Sequence, residues 1–407
     1  MKELLFVAVV TASAITTARA DSLNCRFVGS CSAGQAIWRV AVSGSFAYVT
    51  TDSGLVVFDV SVPSEPQRVG QFPAEGGALG VAVAGDYAYF ADVVYGFHVI
   101  DISDPQQPRE VGFCETPICP ANDVAIFGSR AFLADGGAWL RVLDISNPQH
   151  PWEVAYCEEV MGNACAVSVT GDNAYVADGD TGLRVVDVSD LENIRLVGRY
   201  FTSGYAYAHG VVADQGYAYV AYGDSGLIVV DVADPQHPRK AGLCATPGEA
   251  TSLAITGDYC YVADWNAGLR IMNVSDPQHP VEAGYYNTPG YAQGIAADGK
   301  YAYLACGDAG LQIIEFYGAG VEEVRQHTAG SSQPIATIVR GSLPLPEEVG
   351  SGRSALGASL LDASGRKVLA LRPGANDVRL LAPGVYFVNE LEIGDGGRSV
   401  RKVVLTR

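Results

Sequence analysis

An aromatic residue set among small and β-branched neighbours returns seven times along the chain, at Tyr48, Tyr89, Phe132, Tyr175, Tyr219, Tyr261 and Tyr303. The intervals are 41, 43, 43, 44, 42 and 42 residues. A period of this length means a small unit that cannot bury its own faces and must stack against its neighbours. The fullest copy reads GDNAYVADGDTGLRVVDVSD from Gly171, and GDYCYVADWNAGLRIMNVSDPQHP from Gly257 adds the tail. Alternation and turn punctuation divide each copy into four short strands. The first ends in VAV or LAI, the second is AYVAD, the third GLRVVDV, and the fourth surrounds PRxVGxY. Gly-Asp supplies the first hairpin turn, and the Asp-Pro-Gln-His-Pro turn ends the third strand because proline lacks a ladder N–H.

Seven four-stranded units predict an all-β fold, a seven-bladed β-propeller over residues 21–318. The strand count sharpens this. Fourth-strand segments follow the first six copies but not the seventh, whereas one stands alone before the first copy, at Arg26-Phe27-Val28-Gly29-Ser30-Cys31. The N-terminal strand is therefore expected to close the last blade. The composition agrees with a turn-rich β protein: 48% hydrophobic, 17% charged and 47 glycines.

The third-strand motifs GLVVFDV, GFHVIDI, WLRVLDI, GLRVVDV, GLIVVDV and GLRIMNV resemble the LVIVD repeat family. The resemblance covers about residues 25–318. It implies a propeller and an association with bacterial and archaeal surface proteins, and it carries over no catalytic residue. The chain departs from the pattern at Trp139, where glycine is expected, and at Tyr222 and Cys306, where aspartate is expected.

Residues 1–20 read as a signal peptide: Lys2, an apolar run from Leu4 to Val10, and Ala18-Arg19-Ala20 as a cleavage site. The run is too short to span a bilayer. A mature chain without a transmembrane segment is expected, secreted or at the cell surface of a bacterium. Residues 319–333 lose the period and read as a linker. Residues 334–407 alternate apolar and polar positions across new turns, predicting a small antiparallel C-terminal β-sandwich domain. Its segments Leu361-Asp362-Ala363-Ser364-Gly365-Arg366 and Pro383-Gly384-Val385-Tyr386-Phe387-Val388 resemble the type A C-terminal sorting domain of type IX secretion cargo. That resemblance implies a partner in the outer-membrane secretion machinery.

The chain has a net charge of −19, with its acidic excess in the repeats and a net basic C-terminal stretch. An acidic propeller excludes nucleic acid as a partner, since phosphates require a basic surface. Nine cysteines in an exported chain suggest disulfides. The close pairs are Cys25/Cys31, Cys114/Cys119 and Cys157/Cys165, each stabilising by about 2–4 kcal/mol or less if formed. Spacing pairs none of Cys244, Cys260 and Cys306.

No HExxH, CxxC, GxSxG or Walker glycine loop occurs. His150, His237 and His279 share one turn position, and Asp101, Asp144, Asp187 and Asp231 end the third strands, where capping is expected. Asp178-Gly179-Asp180-Thr181-Gly182 suggests a calcium loop but lacks the third oxygen ligand and the later glutamate of an EF-hand. No cofactor is expected, and calcium is the ion left open. The loops between second and third strands, and between blades, vary most between copies. They hold Tyr95, Trp139 and Trp265 in the first set, and Glu115, Glu158, Glu159, Tyr205, Tyr207, His209, Glu249 and Tyr291 in the second. Trp38 and His209 share a first-strand column and are expected to line the central channel. Aromatics beside acids suit a glycan, peptide or protein partner. The competing reading is a polysaccharide hydrolase or lyase using loop carboxylates as acid and base.

Overall fold

The computed structural model describes residues 22–318 apart from 93, 117–120, 138, 161 and 202–206, together with strands between Val321 and Leu405. The proposed signal peptide, Cys119, Tyr205 and the Ser364-Gly365-Arg366 turn lie outside the described residues. No helix among the described residues is long and apolar enough to cross a membrane.

Blade one consists of the strands Ile37–Ser43, Phe46–Thr51, Gly54–Asp59 and Gln67–Pro73, paired antiparallel in that order. The same order repeats in blades two to six, whose inner strands are Ala78–Ala84, Asp123–Phe127, Ala166–Thr170, Gly210–Asp214 and Ser252–Thr256. Blade seven takes Gly294–Ala297, Tyr301–Ala305 and Leu311–Phe316 from the C-terminal side, and its outer strand is Cys25–Cys31. Cys25 stands opposite Phe316 and Cys31 opposite Leu311, so the N-terminal strand closes the ring as expected. A further feature precedes it. Ser22–Leu23 pairs with Tyr285 and Tyr286 at the edge of blade six, and the chain then turns at Asn24, whose side-chain amide donates to the Ala283 carbonyl at 2.6 Å. The N-terminal segment thus ties blade six to blade seven.

Second and third strands are apolar at nearly every position because both faces of a blade pack on neighbouring blades. The seven marker aromatics are all at most 5% exposed. Each hydrophobic cluster draws from two adjacent blades; one joins Tyr175, Leu183 and Val185 of blade four to Val211, Val220 and Ile228 of blade five.

The fourth-strand glycine has a packing reason. A Cβ on Gly70, Gly112, Gly198 or Gly242 would meet the carbonyl oxygen of Pro105, Pro148, Pro235 or Pro277 in the next blade's turn at 2.0–2.3 Å. The exception obeys the same rule. Blade four has Leu191 where its neighbours have that proline, and the preceding blade carries Ala155 instead of glycine; both side chains pack into the cluster between the two blades. The third-strand aspartates act as caps, with Asp101, Asp144 and Asp187 accepting from the N–H of Ser103, Ser146 and Ser189 at 2.8–3.1 Å.

The disulfide expectation is corrected. Cys25, Cys31, Cys114, Cys157 and Cys165 are free thiols, as are Cys244, Cys260 and Cys306. Cys25 and Cys31 end the same extended strand, about 20 Å apart at ~3.3 Å per residue, whereas a disulfide needs Cα atoms within about 7 Å. Cys157 pairs with Leu140 on the outer strand of blade three. Cys165 leads into the inner strand of blade four, its sulfur 3.7 Å from the Tyr207 hydroxyl.

Beyond the propeller, Val321–Glu322, Thr337–Val339, Arg398–Leu405, Gly384–Leu391, Ser359–Leu361 and Lys367–Ala370 form one six-stranded sheet in that order. Ser342–Leu345 and Gly374–Asp377 form a two-stranded one. Thr337–Val339 runs parallel to Arg398–Leu405.

Removal of residues 22–31 takes away the outer strand of blade seven and the tie to blade six. The melting temperature should fall by more than about 10 °C, since a few kcal/mol correspond to several degrees in a domain of this size. An unchanged melt would show that the ring does not depend on this closure.

Candidate functional site

The loops between second and third strands meet the loops between blades on one face. Isolated bridges knit them together: Gly136 to Ala164, Gly179 to Ala208, Gly223 to Ala250 and Trp265 to Ala292. In four blades the turn after the second strand takes left-handed backbone, at Gly136, Gly179, Gly223 and Gly307 with φ of 48–57°. In blade six the same position is Trp265, with φ of 43°. The third strand likewise opens on a left-handed glycine in six blades and on Trp139, φ 81°, in blade three. In those six a Cβ would meet other atoms at 2.2–2.5 Å, so blade three alone admits a side chain there. An L residue with a side chain in this region costs about 1–2 kcal/mol. Two tryptophans therefore occupy the positions where a tryptophan is least favoured.

Each tryptophan stacks on a tyrosine. Trp265 and Tyr291 have ring centroids 4.9 Å apart at 22°, and Trp139 and Tyr156 lie 5.5 Å apart at 21°. Arg141 sits 5.9 Å from both rings of the second pair. Tyr291 and Tyr156 are exposed, and the tryptophans half-buried. Tyr95 is exposed on the blade-two loop, its N–H held by the Asp92 carboxylate at 2.8 Å.

Beneath these loops run buried ion pairs. The second strands end in the fully buried Asp135, Asp178 and Asp264, and the third strands place Arg141, Arg184 and Arg270 against them. Glu153 and Glu282 of the fourth strands reach Arg141 and Arg270. Blade two substitutes His98 between Asp92 and Glu110. Where the aspartate is replaced, by Thr51, Tyr222 or Cys306, the partner position holds Val56, Ile228 or Gln312. This pairing was visible in the sequence as a co-occurrence between two columns of the repeat. A buried carboxylate without its cation would be strongly disfavoured. Asp178 also accepts from the Gly162 N–H at 3.1 Å through its Oδ2. No group of three or more His, Cys, Asp or Glu is placed to hold a metal ion among the described residues.

The central channel is a cavity of about 320 Å³ lined by inner strands of all seven blades. His209 lines it, as expected, but Trp38 does not: its indole turns to Asp52, donating at 2.8 Å, and the next residue, Arg39, lines the channel instead. Strand register makes Arg39, Gly80, Asp123, Ala166, Gly210, Ser252 and Gly294 equivalent, each preceding the residue opposite the one after the marker aromatic. Two of these seven are charged. The Arg39 guanidinium donates to the carbonyls of Gln293 and Trp38 at 2.9 and 3.3 Å. Asp123 accepts from the Val167 N–H at 3.1 Å. At the mouth, His209 lies 3.0 Å from the Glu249 carboxylate and against the Tyr207 ring, and Tyr207 accepts from the Asn163 amide at 2.7 Å.

Burial pushes the Asp123 carboxyl up to about 6, against the opposing pull of Arg39. The usual unfolded value is about 3.9, so the folded protein holds a proton that the unfolded chain has lost. The stabilisation is full below about pH 4 and is lost as pH rises through about 6. Thermal melts between these values should show the wild type losing stability relative to Asp123→Asn. Parallel curves would mean that Asp123 titrates normally.

The comparisons agree with this architecture. The LVIVD repeat model matches residues 33–73, 75–116, 120–159, 161–202, 205–246, 247–288 and 289–315. No curated protein matches. Among solved structures, the computationally designed Ika8 protein is similar in fold alone, with a TM-score of 0.54 at 9% identity over 71% of this chain and 99% of that one. With seven matched repeats that coincide with seven observed blades, the chain belongs to the LVIVD-repeat family.

Proposed function

We propose that this is an exported, non-catalytic binding or scaffold protein whose loop face recognises a glycan, peptide or cell-surface partner. The observation that carries the reading is the pair of tryptophans held in left-handed backbone, each stacked on a tyrosine, on one face of the ring. Strain of this kind persists where a side chain serves something other than stability. Flat aromatics beside acids suit stacking on sugar rings or anchoring a partner side chain. Binding is favoured over hydrolysis because three of the loop acids are engaged by their neighbours: Asp52 by Trp38, Glu159 by the Leu196 N–H and Glu249 by His209.

The signal-peptide pattern of residues 1–20 supports export, and the SGR and PGVYF segments of residues 334–407 support a β-sandwich sorting domain for outer-membrane secretion. Release or surface attachment would follow.

Melting the purified protein against a panel of polysaccharides and cell-wall fragments tests the binding face, because a ligand of the native state raises the melting point by mass action. A shift with one glycan, lost in Trp139→Ala or Trp265→Ala, is the expected result; a shift that survives both substitutions would place the site elsewhere. For export, deletion of residues 334–407 should leave the protein in the periplasm, and normal release without them would remove the sorting role.

A further inference from the structure

The throat of the channel carries two opposite charges that do not meet. Arg39 and Asp123 occupy equivalent positions in blades one and three, separated by Gly80 of blade two. That glycine cannot become a bridging side chain, since its Cβ would lie 2.4 Å from the Asp123 backbone. Arg39 leans toward blade seven, onto the Gln293 carbonyl, and Asp123 toward blade four, onto the Val167 N–H. Neither makes an ion pair with a described residue, although both line the same cavity. Charges withdrawn from bulk water without a counter-charge in contact are costly, and a partner that supplies one gains correspondingly. The five other positions of the ring are glycine, alanine or serine, so close packing does not demand charge there.

A simple anion would satisfy Arg39 and be repelled by Asp123, and a simple cation would meet the reverse. A molecule bearing both signs satisfies both with charge-assisted hydrogen bonds. Alongside the two charges the lining carries the aliphatic side chains of Val40, Val81 and Ile295 together with Ser168, Thr251 and Ser252, so it can meet both a short methylene chain and its polar ends. The volume, about 320 Å³, lies at the lower end of small-molecule sites and is too small for a polymer. We propose that the central channel binds a small zwitterion of amino-acid size, its carboxylate on Arg39 and its ammonium on Asp123. The guest enters from the loop face past His209, and this site is separate from the tryptophan pairs.

Calorimetric titration of the full-length protein at neutral pH with glycine, β-alanine, 4-aminobutyrate and 6-aminohexanoate tests the assignment, and the preferred chain length measures the gap between the charges. At least one member should bind, while acetate and methylamine at the same concentrations should not. Arg39→Met and Asp123→Asn should each weaken binding by about tenfold or more, the scale of a hydrogen bond to a buried charge. Because a single substitution leaves one charge behind, the double variant R39M/D123L is the control for folding. It should melt close to the wild type and bind none of the series. No binding by the wild type up to about 10 mM, where a millimolar site is nearly saturated, would overturn the proposal. So would acetate binding as tightly as the zwitterions, or binding that survives the double substitution.

Discussion

A single blade of this protein is a four-stranded leaf, apolar on both faces, and it has no stable existence away from a second leaf. Everything else follows from that constraint. Each hydrophobic cluster straddles two blades, so every blade is half of two cores. At about 25 cal/mol per Å² of buried apolar surface, an unpaired blade face would be a heavy loss, and the ring has to close. The closing strand Cys25–Cys31 accomplishes this by joining the two ends of the chain within one sheet. The fourth-strand glycines let the proline turn of the next blade sit against the backbone, and the Ala155/Leu191 pair shows the same contact solved with different side chains.

A repeat protein supplies its own baseline, because seven copies of one unit show what the fold needs and the exceptions show what it does not. By that measure the chain spends stability at a few places. Trp139 holds left-handed backbone where the six other blades use glycine, and Trp265 where four others do. Arg39 and Asp123 put charge into a ring otherwise made of glycine, alanine and serine. The buried Asp–Arg pairs are different in kind: they recur, they are matched by apolar or neutral partners wherever the aspartate is lost, and they brace the loops from below. Recurrent departures belong to the scaffold, and solitary ones, gathered on one face and at one channel, are those on which the proposed binding roles rest.

Much of this was legible before any coordinates. The period, the four strands per copy and the strand missing from the seventh copy depend only on local alternation and turn chemistry, which a sequence carries at every position. The capping role of Asp101, Asp144 and Asp187 was legible for the same reason. The cysteines misled because recurrence at one point of the repeat was read as proximity, when the residues between Cys25 and Cys31 form an extended strand that holds them apart. Trp38 misled because alternation along a strand does not say which of two adjacent residues turns into the channel.

The sequence by itself therefore determined the architecture: a ring of seven blades, its closure, and the columns of equivalent positions. These are set by short-range periodicity, and periodicity survives in one dimension. Only the tertiary structure decided which columns face one another. The meeting of Trp265 with Tyr291, the clasp of His209 and Glu249, and the sharing of one channel by Arg39 and Asp123 all depend on how neighbouring blades are rotated and how closely they approach. Those are properties of the closed ring, and no single copy of the repeat contains them.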